Sequence, residues 1–354
     1  MKYAIWLLPI TLGLALSDTR AQNEITNLDM PIQSLYQQAI PSLRAIASAK
    51  GVNIGVAVGP TLFEEFEPEY SEILAKEFNM VVPENAMKWA AVQPAPNQYV
   101  WALPDAIVKI AQKNKQKIRG HTLVWHEQLP NWVLQINNRD TMLIALKDHI
   151  QTQVKHYKGQ IDSWDVINEA ISDSGGLRNT PFLKTIGQDY FELAFRWAHE
   201  ADKDAKLFYN DYNTDGINRK SDDVYALVKD LLAKGVPIDG VGFQAHIDTG
   251  FNVVTQRVLE NYQRFRDLGL EVQITELDVQ SNSSFPASEH LARQAKVYGD
   301  LMQICLEVKC SAFMMWGLTD AHSWRASKSP LIFDSNYAPK PAYDTLKRVL
   351  EAAK

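Results

Sequence analysis

The chain has 354 residues, 46% hydrophobic and 22% charged, with a formal net charge of −6. That is ample apolar sequence for a full core, and single-domain α/β barrels commonly reach this length. No long basic run offers a grip on a phosphate backbone, so nucleic acid is excluded as an expected partner.

The first residues carry Lys2, an apolar run from Ala4 to Leu16, then Ser17 and Ala21 as small-residue cleavage candidates. This order predicts a signal peptide over residues 1–21. The apolar run falls well short of the roughly 20 residues a membrane-spanning helix needs. The mature chain, 22–354, is therefore expected to be secreted or periplasmic, with no membrane attachment after cleavage. Pro31–Lys50 reads as an extra helix before the first strand, capping a barrel floor or lying beside the last helix.

From there, short β-rich apolar runs alternate with longer amphipathic ones, the form of repeated βα units. Eight strands are predicted: NIGVAVG (53–59), FNMVVPEN (78–85), KIRGHTLVW (117–125), SWDVINEA (163–170), KLFYNDYN (206–213), GVGFQAHI (240–247), EVQITELDV (271–279) and SAFMMWGLTD (311–320). Helical spacing predicts Thr141–Tyr157, Asp189–Asp202, Ser221–Ala233, Val254–Leu268, Ser288–Glu307 and a final Tyr343–Ala353. Nearly every strand starts apolar and ends in carboxylates, amides, His or Trp. All eight ends then converge on one wet site, which favours a (β/α)8 barrel as a single domain over an open sheet. Gly55, Gly59 and Pro60 do not supply the G-x-G-x-x-G turn of a dinucleotide fold. Cys305 and Cys310, the only cysteines, are close enough for a short-loop disulfide in an exported protein, the alternative being two buried thiols.

Glu169 and Glu276 sit at the ends of the fourth and seventh strands. A lone glutamate there is as readily a salt-bridge partner as a catalyst, but two facing one mouth are what glycoside hydrolysis requires. A spacing of about 5–5.5 Å between them gives retention of configuration. His121 and Trp125 share a face by parity, and Gln244 and His246 share another. The five-residue step from His121 to His126 breaks the H-x-H geometry of a barrel metal site, so no metal is expected. Trp316 and Trp324 bracket a loop at the same mouth, suited to stacking on the apolar face of a pyranose. PENAMKW adds Glu84, Asn85 and Lys88 to the rim.

The motifs PENAMKW, RGHTLVWH, DVINEA, YNDYN, GFQAHI, ITELD and WGLTD-x-x-SW, one per successive strand from the second to the eighth, closely resemble glycoside hydrolase family 10, the endo-β-1,4-xylanases. The resemblance covers essentially the whole mature sequence. It implies a retaining endo-1,4-β-xylanase with Glu169 as general acid/base and Glu276 as nucleophile. It further implies that Asn168 holds the sugar 2-hydroxyl, while His246 and Asp278 orient and charge-balance Glu276. His121, Lys88 and Gln244 contact the sugar being cleaved, and Glu84, Asn85 and Gln128 the next one outward. Trp316 and Trp324 form the platform, and Trp324 with Gln128 crowds a hydroxymethyl group and so favours pentose over hexose. Tyr212 belongs to the leaving-group side and Trp125 to the wall beside Glu169. The implied partners are xylan and xylo-oligosaccharides, with no cofactor and a monomeric enzyme.

Two small departures stand out: Ala86 where the family often has Glu, and Ile167 where it has Val. Repulsion between neighbouring carboxylates keeps a proton on one of them, and ester formation on Glu276 lets Glu169 give that proton up and act as base. An endo-glucanase on the same scaffold, a barrel that binds carbohydrate without cleaving it, and a metal-dependent hydrolase are the rival readings.

Overall fold

The computed structural model describes residues 41–353. Nine strands form one sheet: β1 (Asn53–Val58), β2 (Met80–Pro83), β3 (Lys117–Gly120), β4 (Ser163–Asn168), β5 (Lys206–Asp211), β6 (Gly240–Phe243), β7 (His246–Asp248), β8 (Glu271–Gln280) and β9 (Ala312–Met315). The hydrogen-bonded order is β6-β5-β4-β3-β2-β1-β9-β8, and β6 also pairs with β8, which closes an eight-stranded ring. Every pairing in it is parallel. The expected (β/α)8 barrel is therefore present, and its polar mouth lies at the C-terminal strand ends.

Parallel strands need crossovers, and one long helix follows each barrel strand: Pro68–Glu77, Ala102–Lys113, Arg139–His156, Asp189–Ala201, Arg219–Ala233, Val258–Asp267, His290–Glu307 and Pro341–Ala352. Local chemistry sets their starts. Asn138 accepts from Thr141 N at 2.9 Å, and Asn218 with Ser221 closes a reciprocal capping box. Such caps satisfy backbone donors that a helix start leaves without partners.

The barrel interior is divided. Ala57, Met80, Val82, Ala312, Met314 and Trp316 form an apolar layer under one side of the mouth. Arg119 from β3 fills the other side: it is fully buried, ion-pairs with Asp165 through both carboxylate oxygens, and donates to Gln273 Oε1 at 2.5 Å. A guanidinium there is tolerable only because its donors meet fixed acceptors. Glycine supplies the room elsewhere, since a Cβ on Gly120 would lie 2.2 Å from the Trp164 ring.

Several expectations need correction. The predicted sixth strand breaks after Phe243, and His246 belongs to the separate β7, which among the described residues pairs only with β8. Ala245 takes φ +60°, a left-handed turn that ends one strand and starts the next. β3 stops at Gly120, so the parity argument for His121 and Trp125 does not apply beyond it. The extra helix is Leu43–Ala49, tied to the last helix by a hydrogen bond from Lys50 to the carbonyl of Ala353. Residues 31–40 of its predicted span, like the signal peptide, lie outside the described residues. Cys305 and Cys310 are buried free thiols, not a disulfide, and pack as small apolar side chains.

Candidate active site

Strict alternation along a strand sends neighbouring side chains to opposite faces. Both strands that carry the glutamates break it. The β4–β5 register shifts between Asp165 and Ile167, so Asp165 and Asn168, three apart, both turn into the barrel. The β8–β9 register shifts between Ile274 and Leu277, and there the consecutive Thr275 and Glu276 both reach Asn210, each at 2.7 Å. Glu169 follows β4 directly at φ +58°, and Gln128 and Asn213 are also left-handed. Each such residue costs on the order of 1 kcal/mol, strain that collects at functional sites.

Glu276 is 4% exposed and is held on both oxygens. Oε1 accepts from Asn210 Nδ2, and Oε2 lies 3.1 Å from His246 Nε2. The other imidazole nitrogen is 2.9 Å from Asp278 Oδ2. Asp278 has no exposed surface and also accepts from Trp324 Nε1 at 2.7 Å and Arg325 at 2.9 Å. Burial opposes a charge on His246, but the carboxylates of Asp278 and Glu276 outweigh it and push the imidazole up to about 9. A cation thus stands between the two carboxylates of Asp278 and Glu276.

Glu169 receives three donors. Gln244 Nε2 and Asn168 Nδ2 reach Oε1 at 3.0 and 3.2 Å, and Trp125 Nε1 reaches Oε2 at 2.8 Å. Asn168 is itself set by Asn210, whose amide donates to its Oδ1 at 2.9 Å. One amide, Asn210, therefore bridges the strand bearing Glu169 and the carboxylate of Glu276. Below, His121 Nδ1 is 2.9 Å from Asp165 Oδ2, and the same nitrogen lies 3.9 Å from Glu276 Oε1. Burial works against the Asp165 charge, but Arg119 and His121 prevail and hold it below the usual carboxylate range.

A cleft of about 640 Å³ joins these groups. Every residue expected to act on or bind the sugar lines it, and Asp278, expected to support Glu276, sits behind His246. Glu84, Asn85, Lys88 and Gln128 form one flank, where Lys88 donates to Asn85 at 2.9 Å and Gln128 to the same oxygen at 3.3 Å. Burial lowers Lys88, with Glu276 and Glu84 opposing, and burial raises Glu84, with Lys88 opposing. Trp316 and Trp324 meet His246 at 6.2 and 5.1 Å between ring centroids. Tyr212 lies on the opposite flank with Asn213.

Sequence reasoning missed Asn210, Arg325, Arg178, and the Arg119–Asp165 pair. The motif YNDYN contains Asn210, for which inward parity was a usable signal, whereas Asp165 turns inward only through the β4 bulge. Nothing local marked Arg119, which lies mid-strand among residues of no obvious pattern. Among the described residues no group of three or more His, Cys, Asp or Glu side chains converges as a metal site.

A closed parallel barrel with two glutamates held across one polar, aromatic-walled cleft defines a glycoside hydrolase. The family model for glycosyl hydrolase family 10 matches residues 42–349, and the chain belongs to that family. It is 42% identical over 329 residues to endo-1,4-beta-xylanase B of Thermotoga neapolitana, covering 90% of this chain and 94% of that one. Xylanase 10B of Thermotoga petrophila RKU-1, solved in complex with xylobiose, superposes with a TM-score of 0.85 at 42% identity, over 88% of this chain and 97% of that one. TsXylA, described as an intracellular xylanase of Thermoanaerobacterium saccharolyticum, gives 0.82 at 38%, over 88% and 99%.

Proposed function

We propose that Glu276 and Glu169 are the nucleophile and the acid/base of a retaining endo-1,4-β-xylanase. The chain hydrolyses internal β-1,4-xylosidic bonds. The observation that carries the residue assignment is the contrast between the two carboxylates: Glu276 faces a protonated imidazole, whereas Glu169 is held by neutral amides and an indole. The first attacks. The second can carry a proton to the departing oxygen.

In the first step Glu276 attacks the anomeric carbon as Glu169 protonates the glycosidic oxygen, and the leaving sugar departs. In the second, Glu169, now ionised, takes a proton from water, which attacks the glycosyl ester and frees Glu276. Asn168 holds the 2-hydroxyl, and Lys88, His121 and Gln244 contact the sugar being cleaved. Glu84, Asn85 and Gln128 take the next sugar over the Trp316 and Trp324 platform. Trp125 walls the site beside Glu169, and Tyr212 meets the leaving group. Comparing rates on xylan and carboxymethyl-cellulose tests the pentose preference: equal rates would remove it.

For the chain's setting, our reading is export of a monomer through cleavage near Ala21, giving a mature catalytic domain of 22–354. The n-region lysine and the short apolar run support it, although TsXylA is described as intracellular. Among the described residues no helix is long and apolar enough to cross a membrane. N-terminal sequencing of protein from the expression host's periplasm and medium tests the reading. An unprocessed chain confined to the cytoplasm would contradict it, and light scattering reads the oligomeric state.

A further inference from the structure

We propose that Arg178 is a positioning residue for the general acid, fixing the backbone at Glu169 and tying it to Tyr212 on the leaving-group side. The inference rests on the assignment of Glu169 as acid/base.

Glu169 sits at φ +58° directly after β4, so its side chain is aimed by a backbone state that a glutamate does not favour. Something must hold that state. On the amide side, Glu169 N donates to Asn210 O at 2.9 Å, and the next amide, Ala170 N, donates to the Tyr209 hydroxyl at 3.1 Å. On the carbonyl side the hold comes from Arg178, whose Nε donates to Glu169 O at 2.8 Å.

The same guanidinium reaches two further acceptors. Its Nη2 donates to Ile171 O at 3.1 Å and to the Tyr212 hydroxyl at 3.0 Å. Arg178 is set by its own backbone, since its N–H donates to Ala170 O at 2.7 Å and an antiparallel bridge joins Ile171 and Leu177 beside it. Tyr212 is fixed in turn: its hydroxyl donates to Asp173 at 2.5 Å, and the Lys220 ammonium lies 3.4 Å from its ring centroid. Lys220 is 4% exposed and pairs with Asp211 at 2.9 Å. A planar fork thus connects the acid's own peptide to an aromatic wall where the departing sugar must lie. A single ammonium cannot span those three acceptors.

A residue that aims the acid matters only where a proton is needed. Phenyl β-xylobioside leaves as a poor phenoxide and needs Glu169. The 2,4-dinitrophenyl analogue leaves unaided. The experiment measures kcat/KM on both for wild type, Arg178→Met, Arg178→Lys and Glu169→Ala. Full removal of a general acid costs about 10²–10⁴-fold, so Arg178→Met should lose about 10–100-fold on the phenyl substrate and under about 3-fold on the dinitrophenyl one. Arg178→Lys should behave like Arg178→Met. Both rates come from one preparation, so loss of folded protein cancels in their ratio.

Equal losses on both substrates, or no loss on either, would show that Arg178 does not aim the acid. Full recovery with Lys would reduce its role to charge and overturn positioning. If Glu169→Ala itself shows no dependence on the leaving group, the acid assignment falls, and this inference falls with it. A leaving-group effect in Glu169→Ala but not in Arg178→Met overturns only the role of Arg178.

Discussion

His246 Nε2 lies 3.1 Å from Glu276 Oε2, close enough to donate a charge-assisted hydrogen bond to the proposed nucleophile. Burial disfavours the imidazolium, yet Asp278 and Glu276 push it up to about 9, above the ordinary 6.5. A group raised on folding contributes stability that is complete below its unfolded value and is lost as pH rises through its folded one. The wild type should therefore lose roughly 2–3 kcal/mol of this contribution between pH 6.5 and 9. Urea unfolding across that window measures it, and His246→Gln should flatten the slope. An unchanged slope would show that His246 is not charged in the folded protein.

The Arg119–Asp165 pair gives the opposite pH dependence. Asp165 is held low by Arg119 and His121 against burial, so its contribution is present above the ordinary aspartate range and fades as pH falls through its lower folded value. Arg119→Met leaves a buried carboxylate without its main partner and should cost about 3–5 kcal/mol at pH 7. The deficit should shrink toward pH 4. Denaturant titrations of both proteins at the two pH values check this, and a pH-independent deficit would point to lost packing instead.

Gly120 ends β3 against Trp164, where a Cβ would come within 2.2 Å of the indole. Trp164 is fully buried and cannot swing away. Gly120→Ala should cost about 1–3 kcal/mol by overpacking, read as a lower Tm. A Tm equal to wild type would mean the barrel relaxes there freely.

Much of the barrel was legible because its eight apolar runs are bounded by polar strand ends, and seven of the eight carry a residue of the cleft. The proposed catalytic pair was legible from its motifs: Glu169 directly follows β4 in SWDVINEA, and Glu276 lies within β8 in EVQITELDV. What the sequence hid depends on closure of the ring. The turn at Ala245 follows from how β7 meets β8, and the bulges that turn Asp165 and Thr275 inward exist only as offsets between paired strands. Arg119 is hidden for a related reason, since its acceptors lie 46 and 154 residues away. Arg325 follows a motif tryptophan in a loop, and only the folded chain brings it to Asp278.

The central claim is that Glu276 bonds covalently to the sugar. A 2-deoxy-2-fluoro xylobioside with a dinitrophenyl leaving group slows the second step more than the first and lets the glycosyl-enzyme accumulate. Mass spectrometry of the digested protein should find one fluoroxylobiosyl group, carried on the peptide containing Glu276. A label on any other residue, or an active enzyme that forms no adduct and releases inverted product, would contradict the account.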